Sequence, residues 1–512
     1  MDNLTTILPS LKDPSVLLST HPSMLAFIGP QLATIALLTV VLIATRLYRD
    51  EDPYNLKSIP KLPRSRIIDY SKKGKPFKFW IISLQKWVYV LPPEYLERIK
   101  NQSGPTLSLR EVVNQVIPDL LDQSVAQVGS KLLNANLADM DPLLHGRTEQ
   151  ILDKKIGRPR EWKRVKGCTL AQNMTKHVSG RIVFGENLVE NDYFCEAMER
   201  YSLNIVSYAF LARRLNVWPL NKLVNAFLQR RLNRNLVIVT RFVAEEIDKR
   251  KKKLEENPDA SPPLDCIQWA LEQEPPGQQA TPEVIAQRLA RATSGLISTP
   301  PDTVLNLFFD AALHRDCVEE IRAEIKQVLA ETGSGWGETS LSKMKKLDSF
   351  IQESVRLATS LAPLTGWRLV MGDSFRFSDT FTLPKGSIIT FPTYYMRLDP
   401  NTYADPEKFD GLRFYKMKQE EEPADQKQTN LTRSIIIVRK ATRHRSLLFG
   451  YGRQACPGRF YAIRMLKHML GEMILRYDIR YAGGEQKKPV AWDVEPFFVA
   501  DETVELEFRA RE

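Results

Sequence analysis

The run Phe449-Gly-Tyr-Gly-Arg-Gln-Ala-Cys456-Pro-Gly458-Arg-Phe460 constrains this chain more than any other stretch. It stops where apolar residues begin to recur at helical spacing, which predicts a helix from about Pro457 to Tyr477. Backbone N–H groups at a helix start supply positive potential, which favours a thiolate and hydrogen-bonds its sulfur. Gly450, Gly452 and Gly458 let the chain fold tightly against a flat partner. Pro457 suits a first helical turn. A buried free cysteine at a helix start is the plainer alternative. The glycine spacing, with Phe449 seven residues before the sulfur, argues against it.

The other cysteines, Cys168, Cys195, Cys266 and Cys317, are scattered and form no CxxC pair. That argues against a disulfide framework and against a structural zinc site. The six histidines are scattered too, so a cysteine that does chemistry here does it alone. Of 512 residues, 43% are hydrophobic and 26% charged, an ordinary globular balance. The net charge of +11 suits an acidic protein partner or an anionic membrane surface. With no zinc-finger spacing and no basic stripe interleaved with aromatics, no nucleic-acid partner is expected.

Between Asp13 and Arg46 no residue carries a full charge. Residues 24–48 read as one transmembrane anchor, since a helix from Pro30 to Tyr48 would be about 28 Å long, one hydrocarbon thickness. Cations follow at once, from Arg46 and Arg49 to Lys75. This bias places residues 1–23 in the lumen and the bulk of the chain in the cytosol. A cleaved signal peptide is the alternative. Residues 49–75 form a basic hinge that Pro60 and Pro63 stiffen, and 76–512 form the globular domain.

Within that domain, 76–92 reads as short strands and 94–360 as mostly helix. One helix closes at Arg181–Gly185, and long amphipathic helices fill 192–255. A long helix runs from Pro282 to about His314, others lie near Asp316–Ala330 and Ser340–Ala358, and strands occupy 365–395 around Pro384-Lys385-Gly386. Lys418–Gln428 is a charged patch. The class expected is mainly α with small β-sheets (α+β), one large domain behind one N-terminal transmembrane helix.

The cysteine segment resembles the heme loop of the cytochrome P450 family, in its fungal, membrane-bound, secondary-metabolite form. The family pattern Phe-x-x-Gly-x-Arg/His-x-Cys-x-Gly is met by Phe449, Gly452, Cys456 and Gly458, with Gln454 at the Arg/His position. The resemblance implies heme b, with Cys456 as axial ligand of the iron and with Phe449, Gly452, Gln454 and Arg368 at the cofactor. A thiolate opposite dioxygen pushes electron density towards O–O cleavage. In relatives the residue at position 454 and an arginine placed like Arg368 bind heme propionates. Gln454 carries no charge for that task. Glu353-Ser-Val-Arg356 resembles the family's Glu-x-x-Arg. Asp405-Pro-Glu-Lys-Phe-Asp-Gly-Leu-Arg413-Phe414 resembles the segment whose arginine joins that pair. The expected triad is structural, with Arg413 bidentate to Glu353. Trp162 lies in a family-like stretch without an evident role.

Relatives carry Ala/Gly-Gly-x-Asp/Glu-Thr-Thr midway along their longest helix. The matching stretch is Gly295-Leu-Ile-Ser298-Thr299-Pro300-Pro301. Thr299 occupies the threonine position and Ser298 the acid position. Splitting dioxygen consumes two protons, usually passed by an alcohol beside an acid. Ser298 is a poor acid, and Asp302 lies beyond the prolines. Interior prolines disrupt helices, so a break sharper than the relatives' is expected at 298–301.

The activity implied is a monooxygenase oxidising an apolar small molecule, a terpenoid, alkaloid or polyketide intermediate, with dioxygen. Its electrons would come from NADPH through a membrane-bound reductase with an acidic face, at the endoplasmic reticulum. Substrate choice would rest on residues 105–130, on Leu211–Leu228 and on the apolar face at 291–299. Alternatives are atypical chemistry (desaturation, cyclisation, rearrangement or dehydration) and a non-catalytic heme protein.

Overall fold

Aromatic and β-branched residues, favoured in strands, give β1 (Phe77–Ile81) and β2 (Lys86–Val90), which pair antiparallel from Phe77↔Val90 to Ile81↔Lys86. Cross-strand aromatic pairs stabilise such ladders, and Trp80 meets Trp87 edge-on at 5.6 Å. The computed structural model describes residues 71, 73–81, 84, 86–115, 127–214, 220–273, 280–333, 335–358, 364–420, 449–484, 488–489, 492–494, 497–499, 501 and 503–511. The expected lumenal segment, anchor and most of the hinge lie outside these residues, as do 116–126 and most of the Lys418–Gln428 patch. Among the described residues no helix is long and apolar enough to cross a membrane.

The hairpin belongs to a five-stranded sheet in the order β1-β2-β8-β5-β3. β8 (Ile388–Phe391) lies parallel to β2, and β5 (Thr365–Val370) lies antiparallel to β8. β3, only Leu107–Ser108, pairs with β5 through Leu107↔Val370. β6 (Ser374–Ser378) and β7 (Phe381–Pro384) form the hairpin before the Pro384-Lys385-Gly386 turn. A second sheet joins β4 (Lys163–Lys166), β12 (Glu505–Ala510) and β9 (Tyr477–Tyr481). β10 (Trp492–Val494) and β11 (Phe497–Val499) pair apart from it.

The helices Leu137–Lys155, Gly167–Phe184, Pro300–Leu313, Lys345–Leu357 and Arg459–Arg476 pack around one large apolar core. Caps mark several starts: Ser108 Oγ accepts from the Glu111 N–H at 3.1 Å and Thr281 Oγ1 from the Val284 N–H at 3.4 Å. The mainly helical architecture with small sheets is the one expected.

The structure corrects several details. Two short strands, β3 and β4, lie inside the stretch read as helical. β4 is Lys-Arg-Val-Lys, with one half-buried apolar residue, and owes its strand to pairing with β12 rather than to its own pattern. Edge strands favour such charges. The helix expected at 340–358 is two helices, Glu338–Lys343 and Lys345–Leu357, separated at Met344. Trp162, just before β4, is met by two guanidinium groups. Arg480 lies 4.0 Å and Arg509 4.8 Å from its ring centroid, a cation–π stack on the sheet surface.

Candidate active site around Cys456

The cysteine loop folds back on itself before its helix begins. The Cys456 N–H donates to the Phe449 carbonyl at 2.7 Å and the Ala455 N–H to that of Gly452 at 3.1 Å. Gly452 has φ +67°, and a Cβ there would stand 2.0 Å from the Lys100 carbonyl oxygen. Only glycine permits both the backbone conformation and that approach. The helix Arg459–Arg476 follows, and Arg459 donates to the Cys456 carbonyl at 2.8 Å. Cys456 is exposed as a residue, yet protein encloses the sulfur enough that burial pushes its thiol above the ordinary value. The Gly458 N–H and the Arg459 cation pull the other way.

Two segments brace the loop. Asn134 Nδ2 donates to the Pro457 carbonyl at 2.9 Å. A Cβ on Gly129, within the π-helical turn Val128–Leu133, would lie 2.9 Å from Pro457 Cβ, so the turn touches the proline directly. On the other side, the Arg453 N–H donates to the Lys100 carbonyl at 2.8 Å and the Tyr451 hydroxyl to the Glu97 carboxylate. Gln454, placed at the cofactor by the resemblance but without a charge for a propionate, is half-buried. Its amide accepts from the Leu109 N–H at 2.8 Å and donates to the Leu107 and Gln102 carbonyls at 2.6 and 3.3 Å. Both donors are thus spent on backbone.

Arg368, on β5, is fully buried and donates to the Trp367 carbonyl at 2.7 Å and the Tyr451 carbonyl at 3.1 Å. The second bond brings it onto the cysteine loop. Its Nε has no hydrogen-bond partner among the described residues. Burial lowers its pKa to about 10, and no neighbouring charge contributes to that shift. A buried cation without a carboxylate is costly unless an anion meets it.

Glu353, Arg356 and Arg413 meet as expected, with a different fork. Arg356 is the bidentate partner, through Nε at 2.8 Å and Nη2 at 2.7 Å. Arg413 gives Glu353 one bond, from Nε at 3.0 Å, and turns its other nitrogens to the carbonyls of Ala404, Asp405 and Lys408. The reason is local. Arg356 sits three residues along the same helix from Glu353, whereas Arg413 must also gather the loop that precedes it.

The long helix is interrupted at Ser298–Thr299, giving Pro282–Ile297 and Pro300–Leu313. Pro300 and Pro301 open the second helix, where proline is favoured. They cannot donate to the carbonyls four residues back. Ser298 and Thr299 keep right-handed helical dihedrals, so the interruption is a loss of hydrogen bonds rather than a chain reversal. Ser298 Oγ is buried with no partner among the described residues, while Thr299 is exposed and caps nothing. The helix reaches the cysteine loop through Leu296, whose Cδ2 lies 4.0 Å from where a Cβ on Gly458 would stand.

The structure therefore brings Cys456, Phe449, Gly452, Gln454 and Arg368 into one connected loop and strand. The Glu353 triad holds the chain from Ala404 to Arg413 instead, with no bond to the loop among the hydrogen bonds described. Sequence reasoning passed over Tyr451, Asn134 and Arg397. Tyr451 lay within the quoted motif and could have been marked as a candidate contact. Asn134 had no signal. Arg397 donates to the Val355 and Ala358 carbonyls, both at 3.3 Å, at the end of the Glu353 helix.

The family model described as cytochrome P450 matches residues 132–505. Among curated proteins, aspergilol synthase AuAP450 of Aspergillus ustus is 44% identical, over 96% of this chain and 94% of that protein. Cytochrome P450 monooxygenase sttB of Aspergillus terreus is 35% identical, over 100% of this chain and 99% of its own. Cytochrome P450 monooxygenase sirB of Leptosphaeria maculans is 31% identical over 86% of this chain and 84% of its own. Among solved structures, retinoic acid-bound cyanobacterial CYP120A1 shares the fold at a TM-score of 0.60 and 18% identity, covering 88% of this chain and 99% of that one. With the family model spanning most of the domain and three fungal relatives above 30% identity, this chain belongs to the cytochrome P450 family of oxidoreductases.

Proposed function

We propose that this chain is a heme-thiolate monooxygenase that oxidises an apolar small molecule of fungal secondary metabolism, with Cys456 as the iron's axial ligand. The observation that carries the reading is the Cys456 sulfur itself. Cys456 is an exposed residue at a helix start, and its sulfur meets the Gly458 N–H beside the Arg459 cation, the two groups that oppose the upward push of burial on the thiol. A thiolate is the form such donors stabilise. Family membership implies heme iron, and the residues present suit that group. Cys456 supplies the soft donor, and Arg368 supplies a buried cation with an unused Nε, which a propionate would satisfy. Phe449 and Gly452 shape the loop that would face the ring.

Thiolate-ligated heme, when bound, supplies the activation of dioxygen. The chain's own part is to hold substrate and to deliver protons. Ser298 Oγ and Thr299 Oγ1 are the hydroxyls available at the helix interruption, and through water each passes a proton without being its source. Water replaces the acid that relatives place at position 298. Substrate choice, for a terpenoid, alkaloid or polyketide intermediate, would rest on residues 105–130, on Leu211–Leu228 and on the apolar face near 291–299, the first two of which lie partly outside the described residues. Electrons come from NADPH through a membrane-bound reductase, whose acidic face the net charge of +11 would attract. Residues 24–48 anchor the chain in the endoplasmic reticulum with the domain in the cytosol.

The carbon monoxide difference spectrum of the reduced protein tests the reading. A thiolate-type band is expected in the wild type, and Cys456→Ala should abolish it. Heme bound without that band overturns the assignment. The missing acid favours a second reading, atypical chemistry such as desaturation, cyclisation, rearrangement or dehydration. Labelled dioxygen separates the two. Label in the product is expected, and unlabelled product formed without NADPH sinks the monooxygenase.

A further inference from the structure

We propose that Gln454 is a positioning residue that straps the cysteine loop to the chain at 102–109. It replaces the propionate contact made by the basic residue at this place in relatives. The inference rests on the heme-thiolate reading and adds to it a reason for the departure from the family pattern. The side chain meets three backbone groups at once: the Leu109 N–H at 2.8 Å, the Leu107 carbonyl at 2.6 Å and the Gln102 carbonyl at 3.3 Å. A neutral amide offers an acceptor oxygen beside two N–H donors, which matches that set group for group. Arginine has donors only and would confront the Leu109 N–H. A carboxylate has acceptors only and would confront the two carbonyls.

The position of each partner gives the strap its consequence. Leu109 is the first residue of the helix Leu109–Asn114, so its N–H has no partner within that helix. Gln454 caps it from another part of the chain, while Ser108 caps the Glu111 N–H. Leu107 lies on β3, paired with Val370 of the strand that carries Arg368. Arg368 in turn reaches the Tyr451 carbonyl of the loop, and the Arg453 N–H reaches the Lys100 carbonyl. Loop, β3 and β5 are thus tied into one unit, and the tie nearest the sulfur is Gln454, two residues before Cys456. The chain leaves the helix Leu109–Asn114 for the segment proposed to meet substrate. A displacement of that helix therefore reaches the cysteine loop directly through the Gln454 side chain.

The test uses the purified full-length holoprotein with Gln454→Met, Gln454→Arg and Gln454→Glu. Two properties are read: amide hydrogen exchange across 105–114 in the ferric state, and the lifetime of the thiolate-type carbon monoxide band after reduction. Gln454→Met should speed exchange at Leu109 about tenfold, the order set by one unmade buried hydrogen bond. It should also shorten the band's lifetime. Gln454→Arg should do both, even though it restores the family's charge. Gln454→Glu keeps an acceptor for Leu109, so exchange there should stay near wild type while the lifetime falls. Wild-type exchange in Gln454→Met, or a longer-lived band in Gln454→Arg, overturns the strap. Failure of the heme-thiolate reading looks different: the wild type itself lacks the band, and the exchange measurement still decides the strap.

Discussion

Two helices meet at the cysteine loop, and they treat polar side chains in opposite ways. Along Arg459–Arg476, which carries the chain away from Cys456, three buried cationic or imidazole groups meet carboxylates, although Asp141 Oδ2 and His468 Nδ1 have no hydrogen-bond partner among the described residues. Arg464 Nε lies 2.8 Å from Asp141, His468 Nε2 3.0 Å from the same carboxylate, and Lys467 Nζ 2.9 Å from Asp348. Around the interruption of the other helix, two hydroxyls turn to their own backbone or have no described partner. Thr293 Oγ1 donates to the Ala290 carbonyl at 2.5 Å, and Ser298 Oγ has no described partner. Satisfied buried networks rigidify, and unsatisfied groups are costly until something binds them. The difference fits a division of labour: one side fixes the sulfur, and the other keeps a hydroxyl in reserve for water or substrate.

The largest effect is expected on a third helix, Lys345–Leu357, whose fully paired charges set the reference for this comparison. Glu353 is fully buried between Arg356 and Arg413. Glu353→Gln leaves two guanidiniums facing a neutral amide. Breaking a buried ion pair from one side costs about 3–5 kcal/mol. Urea denaturation should give a loss of that order, with less heme retained. A loss under about 1 kcal/mol would mean that backbone carbonyls alone satisfy the arginines and that the pairing does little for rigidity.

The next largest effect is expected at Glu472, on the same helix as Arg464 and His468. Burial, with Glu149 and Asp153 nearby, pushes its carboxyl up to about 7, against the pull of Arg476. His145 Nδ1 stands 3.8 Å from it. A carboxyl raised in the folded state binds more protons folded than unfolded, so stability falls as pH climbs from about 4.5 to about 7. Above that window the full cost is present. Glu472→Gln removes it, and the variant should exceed wild type by up to about 3 kcal/mol at pH 8 while matching it near pH 4. Denaturation midpoints at the two pH values decide. Equal midpoints for both proteins at pH 8 would show that the carboxylate ionises freely.

Much of this contrast was legible in residues that are close in sequence. Gly452, Cys456 and Gly458 announced the loop, and Pro300-Pro301 announced the interruption, because each acts on its own few residues of backbone. What was not legible depended on distance. The resemblance to the family brought Glu353, Arg356 and Arg413 together but could not say which arginine would fork, since that follows from the carbonyls of Ala404 to Lys408. Gln454 looked like a weakened propionate ligand because its partners at 102–109 are remote in the chain. β4 was missed because Lys-Arg-Val-Lys becomes a strand only when β12 lies beside it.

The smallest expected effect tests the idle side most directly. Ser298→Ala deletes a buried hydroxyl that has no described partner. Removing an unsatisfied polar group relieves a desolvation cost instead of losing a bond, so stability should hold or rise by about 1 kcal/mol. Activity should move the other way. If Ser298 Oγ passes protons, its loss slows turnover and diverts electrons into peroxide, whereas Thr299→Ala, at an exposed position, changes stability little by itself. Paired measurements of unfolding midpoint and of peroxide formed per NADPH consumed separate the outcomes. Stability gained with unchanged coupling would make Ser298 a packing residue and leave Thr299 as the remaining hydroxyl of the relay. Stability lost would mean that the hydroxyl has a bound partner, such as a fixed water. In that case the two helices at the loop would differ less than their direct hydrogen bonds suggest.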